Sequence, residues 1–288
     1  MNVLLCIPHY FKPEKDARHS SVDSERLAKR RDALRHVLES WRGIFSNPAG
    51  LLHFMPPAYE GVVLSIPSRV SHLDICIMVH DDDHLLTSEM IKRYVVKKIQ
   101  VQLSNPRYLG FGAYELMEKY AEAYDWFVFS EDDLCMRDVF LFEKLEWFQR
   151  LFGCESVLAP NRYEWNARAP YLKTYIDYDL RRAFIDPYLQ MVQGKPQYEG
   201  EVFGCPVVFE RTLNPHSGFF AVNRRQLEFW RKSKEWKSLD VSFISPLESA
   251  ATLGILKQFA IYKAVREKMA FLEIEHLDDR FSERTVNR

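Results

Sequence analysis

Trp126-Phe127-Val128-Phe129-Ser130-Glu131-Asp132-Asp133 is the stretch on which the fold turns. Four large apolar residues in succession, without polar alternation, suit a strand covered on both faces, as in a parallel sheet. The run then delivers three carboxylates at its end, and open α/β sheets bind ligands at the carboxyl ends of their strands. Uncompensated, such a trio repels itself and pushes its own pKa values upward. A divalent cation relieves that repulsion, and hard oxygen donors suit Mg²⁺ or Mn²⁺ held together with a diphosphate. The plainer alternative is a solvated acidic turn that caps the next helix.

Toward the N-terminus, Val3-Leu4-Leu5-Cys6-Ile7 and Ile75-Cys76-Ile77-Met78-Val79 repeat the unalternated pattern, the second ending in His80-Asp81-Asp82-Asp83. Between them Leu27, Leu34, Val37, Leu38 and Trp41 fall on one helical face. A third strand is expected near Ile99–Leu103. A helix with Leu116, Met117 and Tyr120 follows Gly110 and Gly112. Beyond the acidic trio come a helix around residues 138–151 and a strand at Ser156–Ala159. Strand alternating with helix predicts an α/β, Rossmann-like, mostly parallel sheet flanked by helices.

Residues 160–215 break the rhythm. They are rich in Tyr, Pro and Arg, with weak helical periodicity over Tyr175–Met191 and a hairpin signal near Val202–Leu213. No flexible Gly/Ser linker flanks them, so they read as an insertion over the sheet within a single domain. A strand at His216–Val222, helices at 224–232 and from Ser245, and a late strand Ala270–Ile274 ending at Glu275-His276 complete the pattern. Residues 278–288 are polar enough to be expected as a loose tail.

The 288 residues are 47% hydrophobic and 27% charged, the balance of an ordinary folded chain with room for a sizeable core. A formal net charge of -1 argues against a nucleic-acid-coating surface or a polybasic membrane anchor. No apolar run approaches the roughly 20 residues that span a bilayer. The five cysteines show no C-x-x-C spacing. With no secretory signal before the first strand, they are read as reduced thiols of a cytoplasmic protein, one that visits the inner membrane face if its acceptor is a lipid.

Ser130-Glu131-Asp132-Asp133 at the end of an aromatic strand resembles the DxD-type motif of GT-A fold nucleotide-sugar glycosyltransferases, in an E-x-D or D-D form. The resemblance extends to Asn105-Pro106-Arg107 with Gly110 and Gly112, similar to the family's nucleotide loop. It extends also to His216-Ser217-Gly218-Phe219-Phe220, similar to the strand closing the acceptor cleft, and to His276 after the late strand. It implies a nucleotide-sugar-binding half over 1–133 and an acceptor-binding half over 134–277. Asp133 and His276 would hold Mn²⁺ or Mg²⁺. Glu131 and Asp132 would lie near the ribose and sugar, and Asn105 and Arg107 near the diphosphate of a nucleotide-diphosphate sugar, UDP-linked for preference. His216, Ser217 and Gly218 would line the acceptor site, for a glycan or a lipid-linked sugar.

The resemblance implies that Asp81, at the end of the second strand, accepts a hydrogen bond from a nucleotide base, although its trio also reads as a plain acidic loop or as a rival metal site. His9 ends the first strand and is expected to line the nucleotide. The resemblance also makes Glu248, at a helix start, the expected general base of an inverting reaction, a task for which a carboxylate is adequate. Ser245-Pro246-Leu247-Glu248 equally reads as a capping box with Pro at the first helical position. Arg107 offers a guanidinium fork to phosphate oxygens. Trp165, Tyr171, Tyr175 and Tyr178 either stack on a sugar or pack as a helix face. Two other enzyme classes put carboxylates at strand ends. A phosphohydrolase would show an early aspartate nucleophile or further ligands, and a nucleotidyltransferase a Gly-rich basic loop after strand one; Ile7-Pro8-His9 supplies neither. A catalytically inactive partner subunit of the same fold remains a third alternative. No P-loop, dinucleotide fingerprint or nucleophile elbow is present.

Overall fold

The computed structural model describes residues 1–13, 23, 26–45, 49–52, 59–62 and 69–286. In chain order these form β1 (Asn2–Pro8), α1 (Leu27–Phe45), β2 (Ala49–Leu52), β3 (Tyr59–Val62), β4 (His72–Val79), α2 (Ser88–Arg93), β5 (Val96–Gln100), α3 (Gly112–Lys119) and β6 (Trp126–Ser130). Then follow β7 (Leu134–Met136), α4 (Leu141–Phe152), β8 (Ser156–Leu158), β9 (Asn161–Trp165), β10 (Lys173–Tyr175), α5 (Arg182–Leu189), β11 (Gln197–Val202) and β12 (Cys205–Arg211). The chain continues with β13 (Phe219–Asn223), α6 (Arg224–Arg231), a helical run 246–256 made of α7 (Pro246–Glu248), a π turn (Ser249–Leu253) and α8 (Gly254–Leu256), then β14 (Ala260–Ala264), β15 (Glu273–His276) and α9 (Glu283–Val286).

The main sheet has the order β13-β6-β1-β4-β5. β1, β4, β5 and β6 are parallel and β13 runs antiparallel to β6. This is the α/β, mostly parallel, Rossmann-like architecture the apolar runs predict. Alternation along β1 shows why its sequence carries no polar positions. Val3, Leu5 and Ile7 join one apolar cluster with Leu34, Val37 and Trp41 of α1, while Leu4 and Cys6 join a second with Ala113 and Met117 of α3. Both faces are covered, so every position from Val3 to Ile7 is fully buried, each large side chain contributing about 1.5–3 kcal/mol.

Two smaller sheets lie beside it, β10-β9-β15-β7 and β11-β12-β14-β8, together with a ribbon of β2 and β3. The stretch 160–215, expected as an insertion, contributes strands to both of these smaller sheets. Its β9 pairs with β15 and its β12 with β14, supplying partners to backbone groups that would otherwise be left open. The hairpin is β11–β12, and the helical periodicity reduces to α5. Trp165, Tyr171, Tyr175 and Tyr178 share no helix. They lie on and around the β9–β10 hairpin, with Trp165, Tyr171 and Tyr178 exposed and the Tyr175 hydroxyl donating to Glu273.

Three boundaries shift. β5 lies at Val96–Gln100, where Tyr94-Val95 rather than Asn105-Pro106 delimits it; β15 begins only after a 3-10 turn over Arg266–Phe271; and His216–Gly218 form a loop before β13. The first residues of the expected loose tail are docked. Asp278 is buried against Arg26, Lys29 and Arg280, and Ser282 donates its backbone N–H to Glu164. All five cysteines are free thiols. Among the described residues no helix is long and apolar enough to cross a membrane.

Candidate active site

The site forms where β6 ends. Glu131 donates its backbone N–H to the Gly218 carbonyl, and β7 then carries the chain away antiparallel to β15. That register sets His276 opposite Leu134, and Leu277 N–H bonds the Asp133 carbonyl. The β6 turn and the C-terminal end of β15 are thereby locked together, bringing His276 Nε2 to 3.9 Å from Asp133 Oδ2. Behind it, His276 Nδ1 lies 2.8 Å from Glu164 Oε1. A buried carboxylate holding one ring nitrogen fixes the ring's orientation and leaves Nε2 facing Asp133.

The rest of the trio is divided between two kinds of partner. Asp132 is hydrogen-bonded by His9 at the end of β1. His9 Nε2 accepts the Leu85 N–H at 2.9 Å, so the ring proton sits on Nδ1 and is donated to Asp132. Arg30 of α1 spans the other two sides, with Nη2 to Asp132 Oδ1 at 2.5 Å and Nη1 to Asp133 Oδ2 at 2.8 Å. Burial alone would raise the Asp132 carboxyl, but Arg30 and His9 outweigh it and hold Asp132 well below the usual carboxylate range. Burial likewise disfavours the Arg30 charge, and Asp132 and Asp133 more than restore it.

Glu131 has the opposite environment. Burial, then the neighbouring Asp133 and Glu248 carboxylates, push its carboxyl well above the usual range. Its Oε1 lies 4.0 Å from His216 Nε2. At that distance the pair resembles an ion pair, yet burial and the charge of Arg162 hold His216 well below its ordinary value. Both groups are driven to their neutral forms, and 4.0 Å is too long for a hydrogen bond. His216 Nδ1 is engaged by the Thr252 hydroxyl at 2.9 Å. Gly218, at φ +61°, is required beside Glu131: a Cβ there would stand 2.7 Å from Glu131 Oε2.

The structure thus gathers His9, Glu131, Asp132, Asp133, His216, Gly218 and His276 into one polar interior, with Glu248 close enough to act on Glu131. Other expected residues are placed differently. Ser217 is buried with its hydroxyl donated to the Pro160 carbonyl, which makes it a brace rather than an acceptor contact. Asn105 caps the 3-10 turn Pro106–Phe111 through its side chain, and Arg107 stands exposed on that turn. Asp81 is exposed at the end of β4 with a left-handed backbone, φ +48°, and among the described residues its ion-pair partner is His80, at 3.6 Å. Ser245 makes no capping hydrogen bond, so its half of the expected capping box is not formed.

Arg30, Arg162, Glu164, Asp177 and Lys263 belong to this interior and were not read from the sequence. Arg30 carried a signal, since it lies on the apolar face between Leu27 and Leu34, where a charge needs a buried partner. Lys263 carried another, a lone cation inside Ala260-Ile261-Tyr262-Lys263-Ala264. Arg162 and Glu164 sit two apart on β9 and so share a face of the strand.

Among the described residues no three His, Cys, Asp or Glu side chains form a ready-made metal cage. The donors fit the sparser kind of site in which one or two protein ligands share a cation with substrate phosphates. Asp133 Oδ1 is buried with no hydrogen-bond partner among the described residues, and the oriented Nε2 of His276 faces the same carboxylate.

No protein-family model matches the sequence, and no curated protein matches it. Among solved structures, CMP:2-keto-3-deoxy-manno-octonic acid synthetase complexed with CTP is similar over 81% of this chain and 78% of that chain, at 12% identity and a TM-score of 0.33. A likeness that distant decides nothing about the site, which rests on its own geometry.

Proposed function

We propose that this chain is a metal-dependent glycosyltransferase that moves a sugar from a nucleotide-diphosphate donor, UDP-linked for preference, to a hydroxyl of a glycan or lipid-linked acceptor in the cytoplasm, with inversion. The observation that carries the reading is the approach of His276 to Asp133 with Glu164 behind it, at the carboxyl end of β6. Asp133 and His276 would hold Mn²⁺ or Mg²⁺ together with the donor's diphosphate, and the cation would offset the charge that builds on the departing nucleotide. Arg30 and His9 keep Asp132 ionised and still, so the acidic turn is preorganised before any ligand arrives.

Glu248, at the first turn of the 246–256 helical run, would take the acceptor's hydroxyl proton. Failure of the Ser245 cap removes half of the purely structural account of that residue. The π turn directly after it, uncommon in itself, is a feature that recurs at functional sites. Asp81, exposed at the end of β4, would meet the base, and Arg107 the diphosphate.

The test is incubation with a panel of nucleotide sugars and Mn²⁺, reading release of nucleoside diphosphate. Release that requires the metal supports the proposal. Release of pyrophosphate from a nucleoside triphosphate and a free sugar acid would instead make the chain a nucleotidyltransferase, and no turnover with any donor would leave a binding subunit.

A further inference from the structure

Arg162 is built like a ligand-binding arginine. Its side chain is only 9% exposed, and one edge is fixed by Asp177: Nε donates to Oδ1 at 2.8 Å and the Arg162 backbone N–H to Oδ2 at 2.9 Å. Asp177 is shared with Lys263, whose ammonium lies 2.6 Å from Oδ2 and also donates to the His216 carbonyl at 3.1 Å. Among the described residues neither Nη nitrogen of Arg162 has a hydrogen-bond acceptor, and Asp177 is its one ion-pair partner.

Two buried cations thus share one carboxylate, and a buried charge favours a further partner. No carboxylate of the trio lies within ion-pair distance of Arg162. Arg162 sits beside the cleft all the same: it shares a face of β9 with Glu164, which holds His276, and Lys263 ties the Asp177 pair to the His216 carbonyl. A planar fork held by its Nε edge, with both terminal nitrogens uncommitted, matches a two-oxygen anion.

We propose that Arg162 recognises an oxyanion, a carboxylate or phosphate group, on the substrate bound between Glu131 and His216. Asp177 positions the guanidinium and Lys263 adds to the field. The identity of the substrate rests on the transferase reading above; the existence of the anion site does not.

Binding of matched charged and neutral probes to the wild type and to Arg162→Gln tests this by calorimetry. The probes are UDP against uridine, and glucuronate against glucose. Arg162→Gln leaves Asp177 paired with Lys263, and Arg162→Lys, which keeps the charge but not the fork, serves if the first variant fails to fold. The wild type is expected to prefer one charged probe over its neutral partner, and the substitution to cut that preference by about tenfold to a hundredfold, the worth of a charge-assisted hydrogen bond. Loss of the UDP preference assigns the oxyanion to the donor, and loss of the glucuronate preference assigns it to a sugar carboxylate. A wild type with neither preference, or a folded variant retaining both, overturns the proposal. A wild type that selects glucuronate through Arg162 but binds no nucleotide keeps the anion site and sinks the transferase reading.

Discussion

Arg30 Nη1 lies 2.8 Å from Asp133 Oδ2, so a helix on one face of the main sheet neutralises the acidic turn at the carboxyl end of β6. Arg30→Ala is expected to destabilise the protein by about 3 kcal/mol, because it removes the cation shared by buried Asp132 and partly buried Asp133. Mn²⁺ or Mg²⁺ should recover part of that loss, since a cation that binds the folded state stabilises it by mass action. Urea unfolding with and without metal measures both. A variant as stable as the wild type, or one whose midpoint ignores the metal, contradicts this account of the acidic turn.

Gly218→Ala tests the packing of Glu131. At φ +61° a Cβ costs about 1–2 kcal/mol from the backbone alone, and the contact with Glu131 Oε2 adds to it. A chemical-denaturation midpoint unchanged by the substitution would show that Glu131 has room to move aside.

The Asp177 pair predicts a pH dependence. Burial would raise this carboxyl, but Lys263 and Arg162 overcome it and hold Asp177 below its ordinary value. A depressed acid contributes stability above its unfolded pKa of about 3.9 and loses it as pH falls through the folded value. The wild type should therefore lose stability from about pH 5 downward. Asp177→Asn, lacking the contribution already at neutral pH, should lose less across the same window. Parallel stability curves would remove Asp177 from the account.

How much of this was legible beforehand depended on the kind of signal. β1, β4 and β6 were plain because burial on both faces leaves an unbroken apolar run, and the acidic turn was plain because it ends one. His276 was reached through its place after the last strand, though β15 starts later than its apolar residues suggest. The charged residues that brace the site were hidden for a physical reason. Arg30, Glu164 and Lys263 are charged residues on elements remote in sequence, and their meaning comes from pairing, which no local period reports. The role of 160–215 was hidden in the same way, because β9 and β12 are identified by the edges of β15 and β14 that they cover. Ser217 and Asn105 stood at plausible positions, yet their polar atoms are already used by the Pro160 carbonyl and the Arg107 N–H.

Glu248→Gln and Ser245→Ala separate chemistry from capping. If Glu248 takes the acceptor's proton, the glutamine variant should lose about 10² to 10⁴ in kcat with donor KM nearly unchanged. Ser245→Ala should change stability by no more than about 0.5 kcal/mol, since no cap bond is lost. Near-normal kcat in Glu248→Gln, or a product retaining the donor's anomeric configuration by NMR, would remove Glu248 from the base role.

The central claim, that Asp133 and His276 hold a cation with a nucleotide diphosphate, is tested most directly by calorimetric titration of UDP with and without Mn²⁺. Wild type, Asp133→Ala and His276→Ala are compared after far-UV circular dichroism has confirmed their folds. Metal-dependent binding is expected in the wild type, with its loss in Asp133→Ala and at least about a tenfold weaker metal requirement-corrected affinity in His276→Ala. UDP affinity that is the same with and without Mn²⁺ in all three proteins would contradict it.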